Sequence, residues 1–176
     1  MDEFNLRAKK ITLLTLDVDG VMTDGTLYLG DDGQEYKAFN SLDGQGIKML
    51  KRSGVEVAII TGRTSQVVCK RAADLGITHC YQGMEDKLTA WLDLLSKIGA
   101  SPEQSAFMGD DVVDLQPMRR CGLAVSVPAA SPLVRRHAHY VTQSGGGRGA
   151  VREVCDAIML AQGTLEAQLE PYLRDR

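Results

Sequence analysis

Short runs of branched apolar residues alternate along the chain with stretches in which apolar positions recur every three or four residues. The runs Ile11–Leu16, Val55–Ile60, His79–Tyr81, Ala106–Met108, Leu123–Val125 and Tyr140–Thr142 read as strands. Helical periodicity fills the gaps, at Gly44–Ser53, Ser65–Leu75, Asp86–Ile98, Val112–Arg120, Pro132–His137 and Gly149–Gln162. Strands separated by helices are most economically parallel with right-handed crossovers, so the pattern predicts an α/β fold, a Rossmann-like parallel sheet flanked by helices. One insertion breaks the rhythm. Thr26–Asn40 reads as a β-hairpin turning through Gly30–Gly33, and its place after the first strand sets it over that strand's carboxyl end. Neither Gly20–Ile60 nor Gly62–Asp86 leaves room for a cap domain, so residues 1–176 read as a single domain.

Composition narrows the setting. A chain of 176 residues, 44% hydrophobic and 24% charged, suits one globular domain with a core of its own. Twenty basic against twenty-three acidic side chains give a net charge of −3, which argues against a general polyanion-binding surface and hence against nucleic acid as a partner. Cys69, Cys80, Cys121 and Cys155 form no CxxC pair, so neither a zinc site nor a disulfide framework is expected, and a reducing cytoplasmic setting is. The opening "MDEFNLRAKK" lacks the apolar stretch of a signal peptide, and no apolar run is long enough to cross a bilayer; no membrane partner is expected.

The chemistry gathers where apolar runs end. Asp17 and Asp19 follow the first run, "VEVAIITGR" ends in Thr61, Gly62 and Arg63, and "SAFMGDD" ends in Asp110 and Asp111. In a parallel sheet these carboxyl ends come together. Converging carboxylates repel one another, and the arrangement asks for a hard, oxygen-liking cation such as Mg²⁺. Beside such a cation a carboxylate can accept a phosphoryl group, and Asp17 and Asp19, two residues apart, suit attack and proton handling. Thr61 offers a hydroxyl, Gly62 a close backbone approach, and Lys87, heading its helix, a charge to neutralise the phosphoryl group. Other polar and apolar features read as structural. Asp24, Asp31 and Asp32 fit turns, the three histidines show no ligand spacing, and Trp91, Leu92, Leu94, Leu95 and Ile98 fit a helix's core face. Gly145–Gly149 is open between a phosphate cradle and a flexible connector.

"DVDGV" (17–21), "TGR" (61–63), Lys87 and "GDDVVD" (109–114), in that order, resemble the four successive motifs of the haloacid dehalogenase superfamily. With the hairpin, "FNSLDGQGIKML" (39–50) and "GGGRGAVREV" (145–154), nearly the whole chain is similar to its capless sugar-acid phosphatases. That resemblance implies Mg²⁺-dependent hydrolysis of 3-deoxy-D-manno-octulosonate 8-phosphate, in supply of the lipopolysaccharide inner core, through an aspartyl-phosphate. It implies Asp17 as nucleophile and metal ligand, Asp19 as general acid/base with its main-chain carbonyl on the metal, and Asp110 as third ligand, supported by Asp111 and Asp114. Thr61 and Lys87 are implied to hold phosphate, and Asn40, Ser41, Leu42, Asp43, Gly44, Lys48, Gly62, Arg63 and Arg71 to line the sugar-phosphate site. Leu42 departs from the arginine many members carry. The resemblance also implies a homotetramer joined through the hairpins, with subunits shielding one another's sites. Two alternatives stand beside this reading: a nonulosonate 9-phosphate phosphatase, and a phospho-receiver domain that holds a phosphoryl group instead of turning it over.

Overall fold

A computed structural model of the chain describes residues 3–174. Its elements run Glu3–Ala8 (α1), Leu13–Leu16 (β1), Tyr28–Leu29 (β2), Glu35–Tyr36 (β3), Ser41–Arg52 (α2), Glu56–Ile60 (β4), Gln66–Asp74 (α3), His79–Tyr81 (β5), Lys87–Ile98 (α4), Ser105–Met108 (β6), Leu115–Met118 (α5), Leu123–Ser126 (β7), Pro132–His137 (α6), Tyr140–Val141 (β8), Ala150–Gln162 (α7) and Leu165–Leu173 (α8). Six strands form one parallel sheet in the order β5-β4-β1-β6-β7-β8, with Leu13 level with Glu56 on one side and Ser105 on the other. All six strands predicted from the apolar runs are present, and so is the expected fold class.

The central strands read as unbroken apolar runs because both faces are covered. Every residue of β1, β6 and β7 is buried. On one side α1, α2 and α7 pack together and reach the sheet at β4 and β7; on the other, α4, α5 and α6 do the same at β4, β6 and β7. Trp91, Leu94 and Leu95 fill the core side of α4, whereas Leu92, expected with them, is exposed. Successive helical residues advance by about 100°, which carries position 92 off the 91/94/95 face. Gly99, left-handed at φ +75, ends that helix.

The expected helix over Val112–Arg120 is two pieces, a tight turn at 112–114 and then α5. Pro117 has no N–H to offer the carbonyl four residues back, so one regular helix cannot span the segment. The terminal helices α1 and α8 were not expected. α8 contains Pro171 and buries no residue completely, so it carries little periodicity to read. It is tied to α2 through the Tyr172 hydroxyl, which accepts from Gln45 at 2.7 Å and Arg52 at 3.2 Å.

The hairpin is present as expected, with Tyr28 opposite Tyr36 and Leu29 opposite Glu35. Its turn closes through Gly30 N donating to Gln34 O at 2.8 Å, and Gly33 sits at φ +79, a conformation glycine alone adopts without strain. Leu27, Tyr28, Leu29 and Tyr36 are exposed, but Phe39 packs against the core with the Arg71 guanidinium 5.7 Å above its ring. Among the described residues no helix is long and apolar enough to cross a membrane.

Candidate active site

Four neighbouring strands deliver the expected chemistry to one place. Asp17 follows β1, Thr61 follows β4, Asp110 follows β6 by way of Gly109, and Lys87 opens α4 just beyond β5. The sheet continues through the first of these residues: Asp17 N donates to Met108 O at 3.0 Å, and Thr61 N to Tyr81 O at 2.9 Å. Asp17, Asp19, Thr61, Gly62, Arg63, Lys87, Asp110 and Asp111 then line a cleft of about 370 Å³, together with Gly25, Leu27 and Val113. A larger depression of about 710 Å³ lies at the opposite, amino ends of the strands, around Ile11, Thr12 and Val55. It brings together no acids and is not where the chemistry sits.

Three carboxylates, of Asp17, Asp110 and Asp114, have oxygens within 4.8 Å of one another, faced by the Lys87 ammonium. Lys87 stands 2.8 Å from Asp17 Oδ2 and 2.7 Å from Asp114 Oδ1, with its side chain only 2% exposed. One ammonium cannot neutralise three acids. Burial, followed by the Asp114 charge, raises the Asp17 pKa to about 6 against the pull of Lys87. Burial and then the charges of Asp17, Asp114 and Asp111 raise that of Asp110 to about 7. For Lys87, burial favours the neutral amine, but Asp17 and Asp114 outweigh it and the pKa goes up.

The oxygens are not equally free. Asp114 Oδ1 is held by Lys87, and its Oδ2 accepts from the main-chain N–H groups of Asp110 at 3.1 Å and Asp111 at 3.2 Å, so this wholly buried acid shapes the loop beneath the others. Asp111 caps the 112–114 turn, accepting from Val112 N at 2.7 Å. Asp17 Oδ1 accepts from Val18 N at 2.7 Å. A hard divalent cation fits the excess of carboxylate oxygen that Asp17, Asp110 and Asp114 gather. The close approach of Asp110 depends on glycine: a Cβ on Gly20, at φ +87, would stand 2.0 Å from Asp110 Oδ2.

Asp19 turns toward the hairpin. Its Oδ1 lies 2.5 Å from Lys37 Nζ and its Oδ2 3.9 Å from Arg63 Nε, while Glu35 bridges Lys37 at 3.2 Å and Arg63 at 3.3 Å. Lys37 and Glu35 were not among the expected residues. Both lie more than a dozen positions from Asp19 in sequence, and only the fold of the hairpin over the cleft joins them.

The remaining expected substrate contacts lie elsewhere in the chain. Asn40 caps α2, its side chain accepting from Leu42 N at 2.8 Å, and its carbonyl accepts from Arg71 at 3.1 Å. Gly44 gives way to the same arginine, since a Cβ there would stand 2.3 Å from Arg71 Nη2. Asp43 is buried and accepts from Arg152 N at 2.8 Å, capping α7, whose own cap position, Gly149, has no side chain to offer. Ser41, Leu42 and Lys48 are exposed. None of these residues lines the cleft of its own chain. Gly145–Gly149 is not a loose connector, and it does not line the cleft. A Cβ on Gly146 would fall 1.9 Å from Gly20 O, and Gly147 N donates to Val21 O at 2.9 Å, so the loop buttresses the acid-bearing turn by direct backbone contact.

Comparison with known proteins gives a consistent picture. A model of the haloacid dehalogenase-like hydrolase family matches residues 80–153. The 3-deoxy-D-manno-octulosonate 8-phosphate phosphatase KdsC of Escherichia coli K12 is 54% identical over 160 residues, covering 91% of this chain and 85% of that protein. The structure of the 3-deoxy-D-manno-octulosonate 8-phosphate phosphatase of Yersinia pestis is similar with a TM-score of 0.92 and 54% identity, over 94% of this chain and 89% of that one. The same enzyme from Moraxella catarrhalis, solved in complex with magnesium ion, phosphate ion and a KDO molecule, is similar with a TM-score of 0.95 and 44% identity, over 98% and 99% of the two chains.

Proposed function

Because the chain belongs to the 3-deoxy-D-manno-octulosonate 8-phosphate phosphatase family of haloacid dehalogenase-like hydrolases, we propose that it hydrolyses that sugar-acid phosphate, with Mg²⁺, to the free acid and inorganic phosphate. The observation that carries this reading is the meeting of Asp17, Asp19, Thr61, Lys87 and Asp110 in one cleft at the carboxyl ends of adjacent strands.

In this reading a carboxylate oxygen of Asp17 attacks phosphorus and the bond to the sugar oxygen breaks, while Asp19 gives that oxygen its proton. Water then attacks the phosphorus of the aspartyl-phosphate, Asp19 takes the proton back, and Asp17 is restored as a carboxylate. Lys87 and the Val18 N–H fix the Asp17 carboxylate before attack. Thr61 and Gly62 meet the phosphoryl oxygens. Asp17, Asp110 and the Asp19 carbonyl would hold the cation, with Asp111 and Asp114 setting the loop behind them. When bound, Mg²⁺ offsets the charge of the carboxylates and phosphate and lets them approach one another.

Residues 1–176 act as one catalytic domain built on a continuous apolar core. The subunits assemble as a homotetramer through the apolar side chains of their hairpins, each site shielded by its neighbours. Ser41, Leu42 and Lys48, with Asn40, Asp43, Gly44 and Arg71 behind them, then affect the sugar only across a subunit boundary. The enzyme is cytoplasmic in this account and supplies the sugar acid of the lipopolysaccharide inner core. The receiver alternative is set aside by the phosphatase relatives.

A substrate panel tests the reading. The purified protein with Mg²⁺ is expected to release phosphate from octulosonate 8-phosphate with a higher kcat/KM than from nonulosonate 9-phosphate or simple sugar phosphates. Preference for the nonulosonate ester would move the enzyme to that substrate, and no turnover of any ester would refute the phosphatase assignment.

A further inference from the structure

We propose that Lys37 is a positioning residue for Asp19, holding one carboxylate oxygen so that the other is presented to the leaving group; the inference rests on the phosphatase reading above. The hairpin is mostly an exposed element, with Leu29 65% and Tyr36 62% exposed. Lys37, the next residue along, is not: its side chain is 2% exposed. A lysine ammonium is strongly hydrated, and stripping it of water costs several kcal/mol unless opposite charge replaces that water. Here Asp19 Oδ1 at 2.5 Å and Glu35 Oε1 at 3.2 Å replace it.

The pairing is asymmetric in a way that matters for proton transfer. Asp19 Oδ1 is taken up by Lys37, whereas among the described residues Oδ2 has only the Arg63 Nε at 3.9 Å, beyond hydrogen-bond reach. The terminal torsion of an aspartate is soft, so an untethered carboxylate samples many orientations. Lys37 removes that freedom. Glu35 holds Lys37 in turn and is itself held by Arg63, so the whole hairpin is coupled to the acid that serves the leaving oxygen. The remaining oxygen, Oδ2, is on the side of Arg63, which lines the cleft, and it is the atom left to meet the leaving oxygen.

This role makes a prediction that neither a phosphate-binding nor a purely structural role shares. A sugar phosphate leaves as an alkoxide and needs the proton of Asp19; 4-nitrophenyl phosphate leaves as a stabilised phenolate and hardly needs it. The measurement is kcat/KM, which reports steps up to phosphoryl transfer to Asp17, for both esters in wild type, Lys37→Met and Lys37→Gln. Lys37→Met is expected to lose about tenfold or more on the sugar phosphate, the lower end of what a general acid supplies, and under about threefold on the aryl ester. Lys37→Gln, which keeps a donor for the buried carboxylate, should show the same selectivity with a smaller loss, and it serves if Lys37→Met does not fold. In an Asp19→Asn background the Lys37 change should cost nothing further on the sugar phosphate. Equal losses on both esters, no loss on either, or an additional loss in the Asp19→Asn background would each overturn the proposal. A wild-type protein inactive on both esters would instead overturn the phosphatase reading itself.

Discussion

Asp17 and Asp110 hold protons more tightly in the folded chain than in an unfolded one, because burial and facing carboxylates disfavour their charged forms. Their folded values of about 6 and about 7 lie above the ordinary 3.8, so between these limits the folded state binds more protons than the unfolded state. The contribution of these two acids to metal-free stability therefore falls as pH rises through that window and levels off above it. A cation competes for the same oxygens, so Mg²⁺ must bind more tightly as the protons leave. Thermal melting should show a metal-free Tm that is lower at about pH 8 than at about pH 5, and a Mg²⁺-induced rise in Tm that is larger at the higher pH. A Mg²⁺ shift independent of pH would contradict this account of the cluster. Lys87 offsets part of the same charge. Replacing it in Lys87→Met leaves Asp17 and Asp114 buried without their cation, and metal-free urea unfolding is expected to show a loss of about 3–5 kcal/mol.

At the level of elements, the site is held by contacts that tolerate no added atoms. Gly146 lies against the backbone of Gly20, so Gly146→Ala should displace the acid-bearing turn, lowering kcat about tenfold or more, on the scale of misplaced catalytic groups. Unchanged kcat in that variant would show that the loop is not a buttress. Asp43→Ala removes the cap that α2 lends to α7 and should cost about 1 kcal/mol in urea unfolding, within the range of lost helix caps. These contacts explain what could and could not be read from the sequence. The strands were legible because runs such as Leu13–Leu16 are buried on both faces and need no partner to be recognised. The motif acids were legible because each ends such a run. Lys37 was not, since its meaning depends on a hairpin folding across the cleft, and neither was the cap that Asp43 gives α7, because its partner Arg152 is distant in sequence. In the same way, the Gly145–Gly149 segment reads in sequence as either a phosphate cradle or a flexible connector, whereas Gly146 and Gly147 pack closely against the backbone of residues 20–24.

For the whole molecule, the hairpin exposes several large apolar side chains on one element. Leu27, Tyr28, Leu29 and Tyr36 stand together on one projection, the surface that the proposed tetramer would cover. Sedimentation velocity should show a tetramer for the wild type and smaller species for Leu29→Glu; a fully active wild-type monomer at working concentrations would refute the assembly. The central claim, however, is chemical: phosphate passes to Asp17 on its way to water. Rapid acid quench during turnover of octulosonate 8-phosphate, followed by borohydride reduction and peptide mapping, tests it most directly. The account predicts a transient phosphoryl group on the peptide bearing Asp17, recovered after reduction as homoserine at that position and absent from a folded, inactive Asp17→Asn protein. Phosphate release at full rate with no modification at Asp17, or with the phosphoryl group on another residue, would contradict it.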